Sequence, residues 1–176
     1  WYLLLIIKVI SSGICLWADS SYSVRSLPTP AGIVCEVTGL DYSEDGTLYI
    51  CTRRGDVWAQ KNGDWKRFAH GLHEPMGLLA RHGFVWVTQR PEVTMLADDN
   101  GDGTADRYET INDDFAMEAN FHQYNYGLVE GKIAGSLHGI LSCSGLSKPD
   151  GSPASANGDS PIPYRMWSYQ ISPSGE

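Results

Sequence analysis

The sequence has no cluster of basic residues and little positive charge overall. It contains 13 Lys and Arg residues and 21 Asp and Glu residues, which gives a formal net charge of -8 and a pI near 5.0. Proteins that bind phosphate backbones carry a basic surface, so we expect no nucleic acid partner. After the N-terminal segment no stretch shows sustained helical periodicity, and none approaches the roughly 20 apolar residues of a membrane span. We therefore expect no stable span in the mature chain.

A C-x-x-C pair is also missing, although the chain has four cysteines, Cys15, Cys35, Cys51 and Cys143. This absence argues against a zinc knuckle or a c-type haem attachment site within these residues. An exported chain could join Cys35 to Cys51 in a disulfide. Because Cys51 lies in a strand-like run, a small buried thiol is the commoner outcome, and we expect free buried thiols.

The N-terminal segment is the most apolar part of the chain. Residues 1–18 begin at Trp1 and contain a Leu- and Ile-rich run broken by Lys8. This pattern is typical of a secretory signal peptide that has lost its charged start, and it favours a removed leader over an anchor. An N-terminal buried strand or helix is the alternative. We expect an exported protein, periplasmic or extracellular, with residues 19–32 as a linker.

Residues 98–109 match the calcium-loop pattern D-x-[DN]-x-[DN]-G-x5-E in full. Calcium takes six to eight oxygen ligands, and alternating acidic side chains around a sharp turn at Gly103 can supply them. The alternative is a plain turn, since Asp, Asn and Gly are common turn formers. The preceding residues 91–96 favour a strand over a helix, so we expect a structural calcium site between strands. Its predicted ligands are Asp98, Asn100, Asp102, Thr104, Asp106 and Glu109.

A repeat of 37 to 38 residues relates Gly39–Arg53 to Gly77–Arg90, and a third partial copy begins at Gly127. A period near 40 with four short strands per unit is typical of a β-propeller. The fold class predicted is therefore all-β, a partial β-propeller over residues 33–176 with about two and a half to three four-stranded blades. Eight strands are predicted in the first two units, at Val37–Tyr42, Thr47–Thr52, Asp56–Gln60, Trp65–Ala69, Met76–Ala80, Phe84–Gln89, Val93–Ala97 and Asp106–Ile111.

Residues 147–163 are rich in Pro, Gly and Ser, which predicts a flexible surface loop. A strand pattern resumes at Met166–Ile171 before a turn, and the last residue falls within a repeat. We expect the chain to be an N-terminal fragment of a larger propeller.

Several motifs resemble one family of propellers. The stretches Gly71–Leu79 and Trp86–Pro91 resemble the "G-L-x-x-P-x-G-L … V-T-E-R-P" signature of the glucose/sorbosone dehydrogenases. Three further segments are similar to bacterial exported "membrane-bound dehydrogenase" propellers of that superfamily. They are the Arg-Arg-Gly-Asp-Val-Trp strand at Arg53–Trp58, residues 98–109, which we call the acidic loop, and the segment His122–Gly127. The resemblance covers residues 33–176.

The resemblance implies a six-bladed propeller that oxidises a sugar-like substrate with pyrroloquinoline quinone and calcium. It implies His122 as the catalytic base. We expect Arg90 to bind a quinone carboxylate or a substrate oxygen through its planar guanidinium. Alternatively, His122 is a polar residue at a blade edge, and Arg90 pairs with Glu92 or another acid between blades. A cytochrome c domain downstream is a partner that the resemblance allows. His73, Glu74 and His138 are lesser candidates, interpreted as solvated loop positions.

Two other functions stay open at the level of sequence. One is a non-catalytic, calcium-stabilised propeller that binds carbohydrate or protein, in which the aromatic residues serve packing or stacking. The other is a lactonase-like hydrolase, which would need a central metal held by acids from several blades. Fold alone does not decide between these functions.

Overall fold

The computed structural model describes residues 23–114, 124–132, 137–142, 168–172 and 175. These residues form eleven β-strands in three antiparallel sheets. No helix capable of crossing a membrane occurs in this part of the chain. The signal peptide predicted at residues 1–18 and the loop predicted at residues 147–163 lie outside the described residues.

Each of the first two sheets has four strands in chain order. The first contains β1 (Val37–Tyr42), β2 (Leu48–Thr52), β3 (Val57–Lys61) and β4 (Asp64–Ala69). The second contains β5 (Gly77–Arg81), β6 (Phe84–Thr88), β7 (Val93–Ala97) and β8 (Arg107–Asn112). The third has three described strands, β9 (Tyr124–Glu130), β10 (Leu137–Ser142) and β11 (Ser168–Ile171), in the order β11-β10-β9.

Tight turns determine the register of the hairpins. Asn62 and Gly63 join β3 to β4 with φ angles of 54° and 94°, and His82 and Gly83 join β5 to β6 with 56° and 79°. Two positive φ angles in a two-residue loop define the type I′ turn, whose twist matches that of the paired strands. These turns keep one face of each hairpin directed into a core.

The first strands of the three sheets lie side by side, as around a propeller axis. A Cβ at Gly77 would overlap the carbonyl oxygen of Gly127, and one at Gly39 would lie 2.9 Å from the Leu78 nitrogen. Met76 also pairs with Tyr126 in a parallel bridge. Backbones can approach each other this closely only at glycine, which has no Cβ. The sheets are therefore consecutive blades, which confirms the all-β, partial β-propeller fold.

Two apolar cores hold the blades together. Alternate residues of β5 point to opposite faces, so Leu78 joins the core with blade 1 and Leu79 joins the core with blade 3. Burial of such a side chain stabilises the fold by roughly 1.5–3 kcal/mol. Blade 2 is thus packed on both faces.

Cys35 and Cys51 are free thiols, as expected; Cys51 is completely buried, but Cys35 is only half-buried. Burial raises the pKa of the Cys51 thiol to about 11. Its sulfur lies 3.4 Å from the hydroxyl of Thr38, which also donates a 2.6 Å hydrogen bond to the carbonyl of Pro75. This thiol is a core group at the contact of blades 1 and 2. Cys15 and Cys143 lie outside the described residues.

Candidate functional site

The acidic loop connects β7 to β8, so the prediction that it lies between strands is confirmed. Asp98 organises its first turn. One carboxylate oxygen accepts hydrogen bonds from the nitrogens of Gly101 and Asp102 at 2.8 and 3.1 Å, and the other accepts one from Gly103 at 2.7 Å. Gly101 and Gly103 have φ angles of 76° and 82°, a region that glycine adopts without strain.

Three further side chains accept hydrogen bonds from the loop backbone. Asn100 Oδ1 accepts from the Asp102 nitrogen and Asp102 Oδ1 from the Thr104 nitrogen, both at 2.8 Å. Asp106 Oδ2 accepts from the nitrogens of Asp99 and Asn100 at 3.0 and 3.1 Å. Four of the six predicted ligand side chains, and the Thr104 backbone, therefore belong to one network.

Glu109, at the twelfth position of the pattern, pairs with an arginine of β8 rather than with the loop backbone. It lies exposed on β8, and its Oε2 accepts a hydrogen bond from Arg107 Nη1 at 2.6 Å. Arg107 also binds Asp99 at 3.0 and 3.1 Å, and this contact lowers the pKa of the Asp99 carboxyl. Within the described ranges, no three His, Cys, Asp or Glu side chains are grouped in a metal-binding arrangement. Calcium binding stays a prediction.

The acidic loop of blade 2 is docked on the outer strand of blade 1. Ala105 donates a backbone hydrogen bond to the carbonyl of Phe68 at 2.7 Å. Lys66 donates from its ammonium group to the carbonyl of Asp102, and its aliphatic stem lies against Gly103. The loop therefore links two blades that also share an apolar core.

A second polar group lies at the opposite end of the blades, where β1, β5 and β9 begin; we call this end the mouth. The first strand of each blade contains a glycine, Gly39, Gly77 or Gly127, which we call the first-strand glycine. The residue three positions before it is Glu36, Glu74 or Tyr124, respectively. Arg53 follows β2, and Arg90 follows β6. These five residues come from three blades, four of them from connections and Tyr124 from the start of β9, and we call them the mouth network.

Contacts in the mouth network run from blade to blade. Arg53 binds Glu36 at 2.7 Å and reaches Glu74 at 3.4 Å. The other oxygen of Glu74 lies 3.0 Å from Arg90, whose guanidinium also lies 5.6 Å from the centre of the Tyr124 ring. The ion pair with Glu36 raises the pKa of Arg53. Glu74 thus bridges two arginines of different blades.

The backbone around Glu74 is tightly specified. Its φ of 44° lies in the left-handed region, which is uncommon for a residue with a side chain. The backbone nitrogen of the preceding residue, His73, donates to Gln89 Oε1 at 2.5 Å, and its carbonyl oxygen accepts a hydrogen bond from the Arg90 nitrogen at 3.2 Å. Buried Gln89 in turn donates to Glu92 at 2.9 Å. These bonds fix the backbone next to Glu74.

The sequence predictions have different outcomes here. Arg90 lies in the mouth network, where it pairs with Glu74 rather than with Glu92, so an acid elsewhere is its partner. Glu74 lies in a connection and is partly exposed, as interpreted, but it also pairs with two arginines. His73 is exposed, and the predicted base His122 lies outside the described residues. Alignment of the repeats could have identified Glu36 and Glu74 as equivalent residues, because they precede Gly39 and Gly77 by the same three positions.

The mouth network and the acidic loop lie at opposite ends of β7. That strand starts just after Arg90 and ends at the acidic loop, and its five residues span about 17 Å. A ligand of the size of one sugar ring cannot contact both. The two sites must therefore have separate roles.

Several solved structures are similar to part of this chain. An oxidoreductase assigned as a glucose dehydrogenase, from Thermus thermophilus, aligns with 61% of this chain and 37% of its own at 20% identity and a TM-score of 0.50. Virginiamycin B lyase from Staphylococcus aureus aligns with 68% of this chain and 40% of its own, at 15% identity and a TM-score of 0.43. A protein assigned as a 6-phosphogluconolactonase, from Bacteroides uniformis, aligns with 78% of this chain and 45% of its own, at 14% identity and a TM-score of 0.44.

At 20% identity the likeness to the Thermus thermophilus structure shows the fold alone. The chain spans 37% to 45% of the length of these three structures. A search of curated proteins finds no match. One family model matches residues 53–144, just over half of the chain. The matched region runs from Arg53 of the mouth network through the whole of blade 2 into the third blade. This chain therefore belongs to the family described as "Domain of unknown function (DUF7133)".

Proposed function

We propose that this protein is an exported β-propeller that binds a sugar-like small molecule at the mouth and oxidises it with a quinone as the electron acceptor. The observation that carries the proposal is the mouth network, in which three successive blades bring two arginines, two glutamates and a tyrosine to one end of the fold. Ligand sites combine a few convergent polar groups with aromatic surface, which is the composition found here.

The chemistry of the mouth network suits a polyhydroxylated ligand. Arginine supplies only hydrogen-bond donors and a carboxylate only acceptors. Together they can bind both the oxygen and the O–H hydrogen of a hydroxyl group. Tyr124 and Tyr126, with ring centres 5.7 Å apart, supply aromatic surface at the start of β9. Aromatic rings offer large contact area with little loss of side-chain freedom. A sugar ring presents both kinds of surface.

The quinone part of the proposal comes from the resemblance to the glucose/sorbosone dehydrogenases. Arg90 fits a carboxylated quinone because its guanidinium already holds a carboxylate, that of Glu74, at 3.0 Å. When bound, the quinone would supply the two-electron acceptor that sugar oxidation requires. Arg90 would orient it through its carboxylate, and His122 would take the proton of the substrate hydroxyl.

Calcium has a structural role in this proposal. The predicted ligands are all hard oxygens, the donor type that calcium selects, and the acidic loop is docked on blade 1. An ion bound there would reinforce the contact between blades 1 and 2. It would lie at the far end of β7 from Arg90, away from the chemistry.

A second function, a non-catalytic binding module, has one observation in its favour. Both arginines of the mouth network already pair with carboxylates of their own or the neighbouring blade. Alignment of neighbouring blades would be a sufficient role for such ion pairs. The same mouth could then bind a carbohydrate without oxidising it.

The decisive experiment measures reduction of an artificial dye by the full-length protein after addition of pyrroloquinoline quinone and calcium, over a panel of aldoses. We expect reduction with at least one sugar. Arg90→Gln should lower the rate by about tenfold or more, since it removes the charged fork that binds a carboxylate. Arg67→Gln, on the exposed outer strand β4, is the matched control and should retain the wild-type rate.

The outcomes separate the two functions. Sugar binding without dye reduction for any aldose would favour the binding module. Absence of both sugar binding and reduction would overturn the proposal. A loss of activity in Arg67→Gln equal to that in Arg90→Gln would show that the effect is not specific to the mouth.

A further inference from the structure

We propose that a cavity between blades 1 and 2 binds a small quaternary ammonium compound. The cavity has a volume of about 310 Å³ and lies at the end of the blades opposite to the mouth; we call it the far cavity. It is separate from the ligand site proposed at the mouth. Its ligand therefore does not depend on the proposed sugar oxidation.

The wall of the far cavity combines acidic and aromatic side chains. Three acids and three aromatic residues line it: Glu44, Asp45, Asp98, Tyr49, Phe68 and Phe84. The acids come from the turn after β1 and from the start of the acidic loop, and Phe84 is the first residue of β6. These positions lie at the ends of β1, β5 and β7 that point away from the mouth. The far cavity is therefore built by both blades.

The aromatic rings form the apolar part of this wall. Tyr49 and Phe68 pack edge to face with ring centres 5.2 Å apart, and Phe84 packs in the same way on Trp86 at 6.3 Å. Phe68 is buried, whereas Tyr49 and Phe84 are half-buried. The face of an aromatic ring attracts a cation, and recognition of quaternary ammonium groups is a common use of this attraction. The wall therefore suits an organic cation.

The acids add negative charge to the far cavity. Within the described residues, Glu44 and Asp98 form no ion pair with Lys or Arg. A hydrogen bond from the His82 nitrogen lowers the pKa of the Glu44 carboxyl. Burial raises the pKa of the Tyr49 phenol, and the negative charges of Asp45 and Asp98 raise it further. These charges thus reach the phenol in the wall, and they would stabilise a cation bound beside it.

The mixed wall distinguishes between kinds of cation. A primary ammonium group has three hydrogen-bond donors to satisfy, and aromatic rings accept them less well than water does. A calcium ion takes six to eight oxygen ligands, which the aromatic half of the wall cannot supply. A quaternary ammonium group has no donor to satisfy, and it gains from ring faces and carboxylate charge together. The far cavity therefore favours a quaternary ammonium ligand.

Choline and its uncharged carbon analogue, in which a tert-butyl group replaces the trimethylammonium group, are matched probes because they have the same shape. Calorimetric titration of the full-length protein with each probe measures the contribution of the charge. We expect choline to bind about tenfold more tightly than the analogue, and the difference should shrink with added salt. A chelator is present throughout, because Asp98 is also a predicted calcium ligand and a bound ion would reduce the negative charge.

A free compound is favoured over the phosphocholine headgroup of a lipid, because the phosphate would lie beside the same acids. Phosphocholine should therefore bind more weakly than choline. Stronger binding of phosphocholine would contradict the role of the acids.

Phe84→Leu tests the aromatic part of the wall. It keeps an apolar side chain but removes a ring, so choline affinity should fall about fivefold. Affinity for the uncharged analogue should fall less, since that probe loses no cation–π contact. Tyr108→Leu is the matched control, because Tyr108 is an exposed aromatic residue of β8 that does not line the far cavity. It should retain the wild-type affinity for choline.

Glu44→Gln tests the charge. Gln keeps an oxygen that can accept from the His82 nitrogen but carries no charge, so choline affinity should fall about threefold while affinity for the analogue stays unchanged. Glu44 suits this test better than Asp45, which already pairs with Lys61 at 2.6 Å. Glu109→Gln, at an exposed glutamate of β8 outside the far cavity, is the matched control.

Equal affinity of the wild type for choline and for the analogue would overturn the inference, as would absence of choline binding. Choline affinity that neither Phe84→Leu nor Glu44→Gln lowers would also contradict it, because the ligand would then bind elsewhere. If Phe84→Leu fails to fold, the two probes and the exposed Glu44→Gln still decide the question. A negative result leaves the proposed function at the mouth unchanged.

Discussion

Gly77 is the residue at which the spacing of two blades is decided. Its position in β5 brings the backbone so close to β9 that a Cβ would overlap the carbonyl oxygen of Gly127. Backbone atoms cannot move aside as the end of a flexible side chain can. Gly77→Ala should therefore lower the free energy of unfolding by about 3 kcal/mol, at the upper end of overpacking effects. Urea unfolding followed by tryptophan fluorescence measures this loss.

Gly46→Ala is the control for that substitution. Gly46 lies in the turn between β1 and β2 with a φ of 81°, and a Cβ there would meet nothing within 4 Å. Only the left-handed backbone opposes the alanine, at a cost of roughly 1–2 kcal/mol. If Gly46→Ala were as damaging as Gly77→Ala, the close approach of β5 to β9 would not be the cause.

The residues of the mouth network show which parts of a site can be predicted from a sequence. Arg90 is predictable because it stands in a recognisable motif. Glu74 stands in the same motif, but its importance comes from Arg53, which is 21 residues away and in another blade. That contact depends on how neighbouring blades pack, which no local pattern encodes. Alignment of the repeats would have paired Glu74 with Glu36.

At the scale of elements, the acidic loop is the connection whose stability should depend on a ligand. Calcium that binds only the folded protein stabilises it by about 2.7 kcal/mol at a hundredfold excess over the dissociation constant. We therefore expect calcium to raise the melting temperature and a chelator to reverse the rise. Asp98→Asn should reduce the response, because Asp98 supplies charge at the first ligand position. Thermal unfolding with and without calcium checks this.

Asp114→Asn is the control for Asp98→Asn, since Asp114 is an exposed acid beyond the acidic loop. Glu109→Gln tests the twelfth position. Glu109 pairs with Arg107, so it must leave that partner to reach an ion. A calcium response that Glu109→Gln leaves intact would show that the ion is held without it. A wild-type transition unchanged by excess calcium would contradict the site altogether.

Strand positions were predicted almost to the residue, for a physical reason. The predicted Val37–Tyr42 and Val93–Ala97 agree with β1 and β7, and the other strands of blades 1 and 2 differ by a single residue at one or both ends. Gly46, Gly63 and Gly83 mark turns that need positive φ, so they delimit the strands in the sequence itself. β10 was not predicted, although Gly131 and Gly135 stand between β9 and β10 in the sequence.

At the scale of the whole molecule, the repeat exposes two faces that lie at opposite sides of the three blades. Leu40, Leu78 and Leu128 each follow a first-strand glycine and point towards the preceding blade. Leu78 and Leu128 are 6% and 4% exposed, but Leu40 is 61% exposed. Val129, which corresponds to Leu79 in blade 2, points the other way and is 60% exposed. These positions are the ones that neighbouring blades cover elsewhere in the fold.

The three leucines therefore form a matched set for one measurement on this chain. Leu78→Ala should lower the free energy of unfolding by about 3 kcal/mol and Leu128→Ala by a similar amount, because each leaves a cavity between blades. Leu40→Ala should cost below about 1 kcal/mol, as expected for an exposed position. Urea unfolding of the three variants gives the comparison. A cost at Leu40 equal to that at Leu78 would mean that other parts of the chain cover the outer face of blade 1.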